Sequence, residues 1–131
     1  MTIERNSQSN TQKVTAMPSN LTITVEKQHF SLQHVFRIAR GAKTQADVVV
    51  VTISDNSHSG WSEAVPYARY QESLDSVIAQ INTLSQALLN TENITGIIAS
   101  LPAGAARNAL DCAWWDLQAK QKNTSVATLL E

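Results

Sequence analysis

The chain has 131 residues, 43% of them hydrophobic, which is enough for one domain with a single core. It is too short to hold a catalytic (β/α)8 barrel, which takes about 250 residues. The net charge is -1 at pH 7 and the basic residues are scattered, so the sequence offers no basic surface for nucleic acid or for an anionic membrane. We expect a small molecule or another protein as the partner.

The single cysteine, Cys112, excludes an internal disulfide and a thiol-based zinc site, and it favours a reducing cytoplasm as the location. It falls inside an apolar helical pattern, so we expect a small buried packing residue. Residues 1–20 contain no apolar signal-peptide region, and no later segment has the roughly 18 consecutive apolar residues of a membrane-spanning helix. The sequence therefore predicts neither a signal peptide nor a membrane span.

Residues 1–19 are mostly polar, a composition that predicts a flexible tail. The pattern then changes, because Leu21, Ile23 and Val25 alternate with polar residues, which is typical of a strand with one buried face. The folded domain is expected to span residues 20–124.

Two further strands are predicted. A β-branched run at residues 48–53 is typical of a central strand buried on both faces, and residues 61–65 follow a polar turn as a third strand. Between the first two strands, residues 30–46 have no steady period and predict a long loop or irregular ribbon. The three strands form an antiparallel meander.

Helical spacing follows the strands. It predicts one helix that begins after an N-cap at Ser73, a short helix within residues 91–101 and a long helix over residues 104–122, whose alanines indicate close packing against a neighbour. Strands followed by helices predict an α+β domain with the helices on one face of a small antiparallel sheet. Residues 125–131 begin a new apolar pattern, and we expect further chain after them.

Catalytic and metal-binding residues are not expected here. The three histidines are far apart in sequence, so a metal site built from them is improbable. Asp111 and Asp116 lie about 140° apart around their helix and do not converge on one ion, so helix capping, a salt bridge or a domain contact is expected instead.

Two segments are better candidates for binding. Residues 36–41 combine aromatic, apolar and guanidinium groups, and an arginine there could hold a carboxylate through paired hydrogen bonds or simply be solvated. Residues 63–73 contain Tyr67, Arg69 and Tyr70, which could line a pocket or cover the edge of the sheet. The residues alone leave both alternatives open.

Residues 106–130 closely resemble the signature helix of the mandelate racemase and muconate lactonizing enzyme branch of the enolase superfamily. Within that branch, residues 36–41, 66–70 and 101–108 resemble dipeptide epimerases that act on L-Ala-D/L-Glu and related dipeptides. Departures include Trp114, where Leu or Ala is usual, and Gln71, where glycine often follows the tyrosine.

The resemblance implies that residues 20–124 are a capping domain and that residues 125–131 begin a linker into a TIM-like barrel that these residues do not contain. The capping loops would close over the mouth of the barrel and select the substrate. The implied contact to the distal carboxylate of the dipeptide is Arg40. The residues implied to shape the pocket beside it are Phe36 and Ile38. Tyr67 and Tyr70 are further candidates for substrate binding.

The resemblance also implies the reaction. Two lysines of the barrel exchange the proton α to a carboxylate while Mg²⁺ holds the developing negative charge. Because those lysines and acidic ligands are not among these residues, we expect the chain alone to be inactive. The alternatives are a muconate cycloisomerase-like or o-succinylbenzoate synthase-like member, or a stand-alone binding module that forms homo-oligomers through its alanine-rich helix.

Overall fold

The structure, a computed structural model, describes residues 2–4, 20–39 and 41–131. In chain order, the strands are β1 (Thr2–Glu4), β2 (Thr22–Ile38), β3 (Gly41–Ser54) and β4 (Ser59–Ala64). A 3-10 helix at Ala68–Tyr70 then precedes the α-helices, which are α1 (Leu74–Leu89), α2 (Ile94–Ala99), α3 (Ala105–Gln121) and α4 (Val126–Leu129).

The strands form one antiparallel sheet in the order β1-β2-β3-β4. The predicted α+β meander, followed by helices, is confirmed. Thr2–Glu4 pair with the outer edge of β2, where the sequence predicted a flexible tail. The unpaired backbone groups of an edge strand provide partners that composition alone does not reveal. The rest of the predicted tail lies outside the described residues.

The largest difference from the prediction is in residues 30–46, which form the paired ends of β2 and β3 rather than a loop. We call residues 28–47 the ribbon. The side chains that the structure describes in it, all but those of residues 38 and 40, are exposed or half-buried, so they form no buried face that would impose a period of two on the sequence. The register also shifts, because Ser31 pairs with Gln45 and Phe36 pairs with Lys43, so residues 32–35 oppose Thr44 alone.

The core lies between the sheet and the helices. Val49 and Val51 of β3 are fully buried on the helix side, and Val48 and Val50, on the opposite face, are only 4% and 9% exposed, which confirms the doubly buried central strand. The helices contribute most of the remaining core side chains, namely Val77, Ile81, Leu88, Leu89, Ile94, Ile98, Leu110 and Leu117. Trp114 packs against this cluster while half-buried.

Helix α3 packs directly on the backbone of β4. A Cβ on Gly60 would lie 2.2 Å from the Ala113 carbonyl oxygen and 2.3 Å from the Leu117 nitrogen, so only glycine permits this approach. Two residues along β4, the Ser62 hydroxyl donates to the Ala109 carbonyl at 2.6 Å. The close packing that the alanines of this helix predicted is therefore confirmed, with β4 as the neighbour.

The turn between β3 and β4 is held by one carboxylate. Asp55 accepts hydrogen bonds from the N–H groups of Ser57 and His58, both at 2.6 Å, and from the Gln121 side chain at 2.6 Å. The Gln121 hydrogen bond, with the two backbone donors, outweighs partial burial and lowers the pKa of Asp55 to about 2. The turn is thereby joined to the last turn of α3.

The helix ends follow from local chemistry. Ser73 is the N-cap of α1, as predicted, and its hydroxyl accepts from the Ser76 N–H at 3.0 Å. The second helix is short and lies within the predicted segment, since Asn93 caps it just before Ile94 and it ends at Ala99. α3 ends at Gln121, and Asn123, two residues later, has a φ of 53° that starts the reversal toward α4.

Residues 125–131, predicted to lead into a barrel, contain the single turn of α4, and that prediction is not tested by the fold. In the part of the chain that the structure describes, no helix is both long and apolar enough to cross a bilayer.

Candidate functional site

The ribbon and the second predicted binding segment, residues 63–73, meet at one edge of the domain. Lys43, on the β3 side of the ribbon, places its ammonium nitrogen 5.9 Å from the centre of the Tyr67 ring. A cation at this distance from an aromatic face is attracted by the ring quadrupole. The ribbon and the segment after β4, which we call the tyrosine loop (residues 65–73), are thus in contact.

The structure describes two of the three binding residues predicted on the ribbon. Phe36 lies in β2 with Lys43 as its cross-strand partner, and its side chain is 57% exposed. Ile38 is the last residue of β2 and pairs with Gly41. Arg40 lies outside the described residues, so its role in binding the distal carboxylate stays a prediction.

In the tyrosine loop, the two predicted aromatic residues contact each other. The Tyr67 and Tyr70 rings meet edge to face with their centres 6.4 Å apart, and they are 53% and 65% exposed. The guanidinium of Arg69 lies 5.8 Å from the Tyr70 ring centre. Large aromatic groups left this exposed provide apolar surface for a ligand or another domain.

A left-handed residue gives this loop its shape. The 3-10 turn closes with hydrogen bonds from the Tyr70 N–H to the Tyr67 carbonyl and from the Gln71 N–H to the Ala68 carbonyl, both at 2.9 Å. Gln71 has φ 61° and ψ 31°, a conformation that glycine adopts without steric cost. The loop therefore retains the backbone that suits the family's usual glycine, with glutamine in its place.

Beside the Lys43–Tyr67 contact lies an open cavity of about 350 Å³. It lies between the ribbon, the start of the tyrosine loop and the first residue of α1. The lining residues are Ala42, Lys43, Thr44, Gln45, Asp47, Val65, Pro66 and Leu74.

The base of the ribbon carries a cross-strand polar pair. Asp47 lies 2.6 Å from the Nδ1 atom of its partner His29 and accepts a hydrogen bond from Gln45 at 2.6 Å. The contact to His29, followed by that to Gln45, lowers the pKa of Asp47. This carboxylate is therefore charged at neutral pH, and Asp47 lines the same cavity as Lys43.

Lys43 is the site residue that the sequence analysis missed. It lies beyond the aromatic and arginine-rich segment that attracted attention, and nothing in its neighbourhood distinguishes it from a solvated surface lysine. The signal was available only through pairing, because a hairpin closed near residue 40 places Lys43 opposite Phe36.

Metal chemistry is not provided by the described residues, among which no group of three or more His, Cys, Asp or Glu side chains could hold an ion. Asp116 forms an ion pair with Lys120 at 2.8 Å and accepts from the Trp61 N–H at 3.0 Å, in line with the predicted structural role. Although burial opposes them, these contacts lower the pKa of Asp116.

Cys112 is exposed, so the prediction that it is a buried packing residue was wrong. The apolar stripe of α3 passes beside it.

Comparison with known proteins identifies relatives of this domain. The chain is 49% identical over 85 residues to the N-acetyl-D-glutamate racemase of Pseudoalteromonas sp, which covers 63% of this chain and 27% of the racemase. It is 45% identical over 112 residues to the L-Ala-D/L-Glu epimerase of Escherichia coli (strain K12), which covers 83% of this chain and 34% of the epimerase. The chain thus spans about a third of the length of these relatives.

Among solved structures, an enolase family member from Agrobacterium tumefaciens with homology to dipeptide epimerases superimposes with a TM-score of 0.72 at 39% identity. The match covers 82% of this chain and 33% of that one. That structure contains bound sodium and L-Ala-L-Glu, with an ordered loop.

The shared architecture defines the class of the domain, which is the N-terminal domain type of the enolase superfamily. Residues 20–131 match the model of the mandelate racemase / muconate lactonizing enzyme N-terminal domain, and the chain belongs to that family. The relatives described above are racemases and epimerases.

Proposed function

We propose that this chain is the capping domain of a Mg²⁺-dependent dipeptide epimerase and that its ribbon and tyrosine loop select the substrate at the mouth of a TIM-like barrel. The observation that carries the proposal is the meeting of these two segments at one edge, where Lys43 contacts Tyr67 beside an open cavity. An epimerase relative and an L-Ala-L-Glu-bound structural relative support the reaction class.

The substrate class follows from the chemistry that the two named relatives share. N-acetylglutamate and an L-Ala-Glu dipeptide are both glutamate with an acyl group on its nitrogen. Each has a hydrogen α to a carboxylate and a second carboxylate at the end of the side chain. We therefore propose an N-acylated acidic amino acid, with a dipeptide that ends in glutamate as the first candidate and N-acetylglutamate as the second.

The residues of this domain would contribute binding and the exclusion of water. We assign Arg40 and Lys43 to the distal carboxylate, because Arg40 is implied by the family resemblance and Lys43 contacts the tyrosine loop beside the cavity. The exposed rings of Phe36, Tyr67 and Tyr70 would cover the acyl portion and exclude water when the domain closes on the barrel.

The bases and Mg²⁺ would come from the barrel, since the described residues gather no ligand set for the metal. Mg²⁺ supplies stabilisation of the negative charge that develops when the α-proton leaves. By this proposal the chain alone does not turn over substrate. The single cysteine supports a reducing cytoplasm as the location.

The first test is to read the coding DNA beyond the codon for Glu131. A frame that continues for about 200–250 residues, with two spaced lysines and three spaced acidic residues, would supply the barrel that the proposal requires. An immediate stop codon would overturn the enzyme proposal and favour a stand-alone binding module.

The second test uses the domain joined to that barrel, with L-Ala-L-Glu in D₂O and added Mg²⁺, followed by NMR and chiral chromatography. We expect deuterium at the glutamate α-carbon together with inversion. Arg40→Ala and Lys43→Met should each raise KM about tenfold and leave kcat nearly unchanged, because a charge-assisted hydrogen bond is lost from binding. Lys122→Met, at the far end of α3, is the control, and unchanged KM in both variants would remove the ribbon cations from the site.

A further inference from the structure

Glu72 joins the tyrosine loop to the start of α3. Its partly buried carboxylate accepts a hydrogen bond from the Ala105 N–H, with Oε2 2.9 Å from the nitrogen. Its own backbone N–H donates to the Tyr67 carbonyl at 3.2 Å. One residue therefore links the loop with a helix whose first turn lies 33 positions further along the chain.

The start of α3 is shaped to receive this carboxylate. The N-cap residue is Gly104, which has no side chain to accept a hydrogen bond from the first turn, so Glu72 provides both an acceptor and a negative charge at the positive end of the helix. A Cβ on Gly104 would lie 2.7 Å from Glu72 Oε2. Because the φ of 163° is extended backbone open to any residue, a Cβ at position 104 would not strain the backbone. It would instead displace the Glu72 carboxylate from its place at the start of α3.

Packing does little to hold the tyrosine loop. No residue of the 3-10 helix Ala68–Tyr70 is buried, and the Tyr67 and Tyr70 rings are mostly exposed. Tyr67 contacts Lys43 of the ribbon, but Lys43 is itself exposed and so adds little to the burial of the loop. Ser73 joins the end of the loop to α1, and the hydrogen bond of Glu72 is the contact that fixes the loop relative to α3.

We propose that Glu72 is the positioning residue of the tyrosine loop. Its hydrogen bond to Ala105 sets where Tyr67 and Tyr70 lie relative to α3 and, through the Lys43–Tyr67 contact, relative to the ribbon. The consequence for substrate binding rests on the proposed function. The positional claim concerns contacts within this chain and is tested separately.

The experiment measures hydrogen exchange by NMR on the full chain for Glu72→Ala and Gly104→Ala. The informative amides are those of Tyr70 and Gln71, which donate to loop carbonyls and not to the carboxylate. We expect their exchange to become about tenfold faster in both variants, because a hydrogen bond to a charged group is lost. Glu92→Ala, an exposed carboxylate before α2, is the matched control and should change neither amide.

A role limited to helix capping gives a different pattern. It would accelerate the first amides of α3, while the Tyr70 and Gln71 amides would exchange as in the unaltered chain, and that result would overturn the proposal. Glu72→Gln keeps an acceptor oxygen and should restore most of the loop protection. The double variant of Glu72→Ala with Gly104→Ala should be no faster than either single variant, since both remove one contact, and additive effects would also contradict the proposal.

When the domain is joined to its barrel, Glu72→Ala should raise KM for L-Ala-L-Glu about tenfold with little change in kcat, because the misplaced loop weakens binding of substrate and transition state alike. Faster loop exchange with unchanged KM would support the positioning role and overturn the assignment of this loop to the substrate site.

Discussion

Gly60 determines how closely the sheet and α3 approach. The Ala113 carbonyl and the Leu117 nitrogen occupy the space that a side chain at position 60 would need, and neither is a flexible group that could move aside. The residues next to it in β4 add hydrogen bonds to the same helix. The interface is thus set by backbone, which is less able than side chains to adjust to added volume.

We predict that Gly60→Ala lowers the free energy of unfolding by about 3 kcal/mol, because the added methyl group must separate β4 from α3 or shift both. Urea unfolding followed by tryptophan fluorescence measures this. Glu63→Ala, on the exposed face of the same strand, should cost less than about 0.5 kcal/mol. A loss at Gly60 no larger than this control would contradict the described packing.

Gln71 is in a left-handed conformation that costs a residue with a Cβ about 1–2 kcal/mol. Gln71→Gly should remove this cost, although glycine also makes the unfolded chain more flexible, which offsets part of it. We therefore expect the free energy of unfolding to rise by about 0.5–1 kcal/mol. Asn123 also has positive φ, but asparagine tolerates it, so Asn123→Gly is a matched control without such a gain. Equal changes in the two melting temperatures would contradict this explanation.

At the scale of elements, the β3–β4 turn depends on the end of α3. Asp55 is the residue shared by the two, and the pKa of its carboxyl is about 2, below the ordinary value of 3.8. A carboxyl group whose pKa is lower in the folded chain stabilises the fold above its unfolded pKa and loses that contribution as the pH falls through the folded value. The window is therefore from about pH 4 down to about pH 2.

Asp55→Asn should lower the free energy of unfolding at pH 7 by at most about 2 kcal/mol, because solvent and salt screen an exposed charge. The difference in unfolding free energy between this variant and the unaltered chain should shrink toward pH 2. Urea unfolding at both pH values measures it. Asp75→Asn, which removes an 82% exposed carboxylate from an ion pair with Lys27, should cost less than about 1 kcal/mol at pH 7. A difference that stays constant with pH would show that the charge of Asp55 is not responsible.

At the scale of the whole molecule, the sequence predicted the α+β order and the helices well, since these depend on buried faces. The apolar spacing around Val77 and Ile81 reflects burial in the core between sheet and helices, and the run at residues 48–53 reflects burial on both faces of β3. The capping of α1 by Ser73 was likewise readable, because it needs only local residues.

The ribbon could not be predicted in the same way. Its strands pair with each other and contact little else, so neither face carries an apolar signal, and the extra residues at 32–35 break the alternation that would have indicated pairing. In the candidate site, the aromatic residues could be recognised from composition. The position of Lys43 could not, because it depends on how β2 and β3 pair. The link from Glu72 to Ala105 joins residues 33 positions apart and has no local sequence signal.

The register shift in the ribbon has a consequence for how such domains can diversify. Four residues, 32–35, oppose Thr44 alone, so β2 has three more residues here than β3, and the core begins several residues nearer the base, at Val25 and Val49. Chain can therefore be inserted or deleted near the tip without moving a buried side chain. The length and curvature of the ribbon can therefore vary between homologues while the core stays constant, so changes in this segment cost little stability.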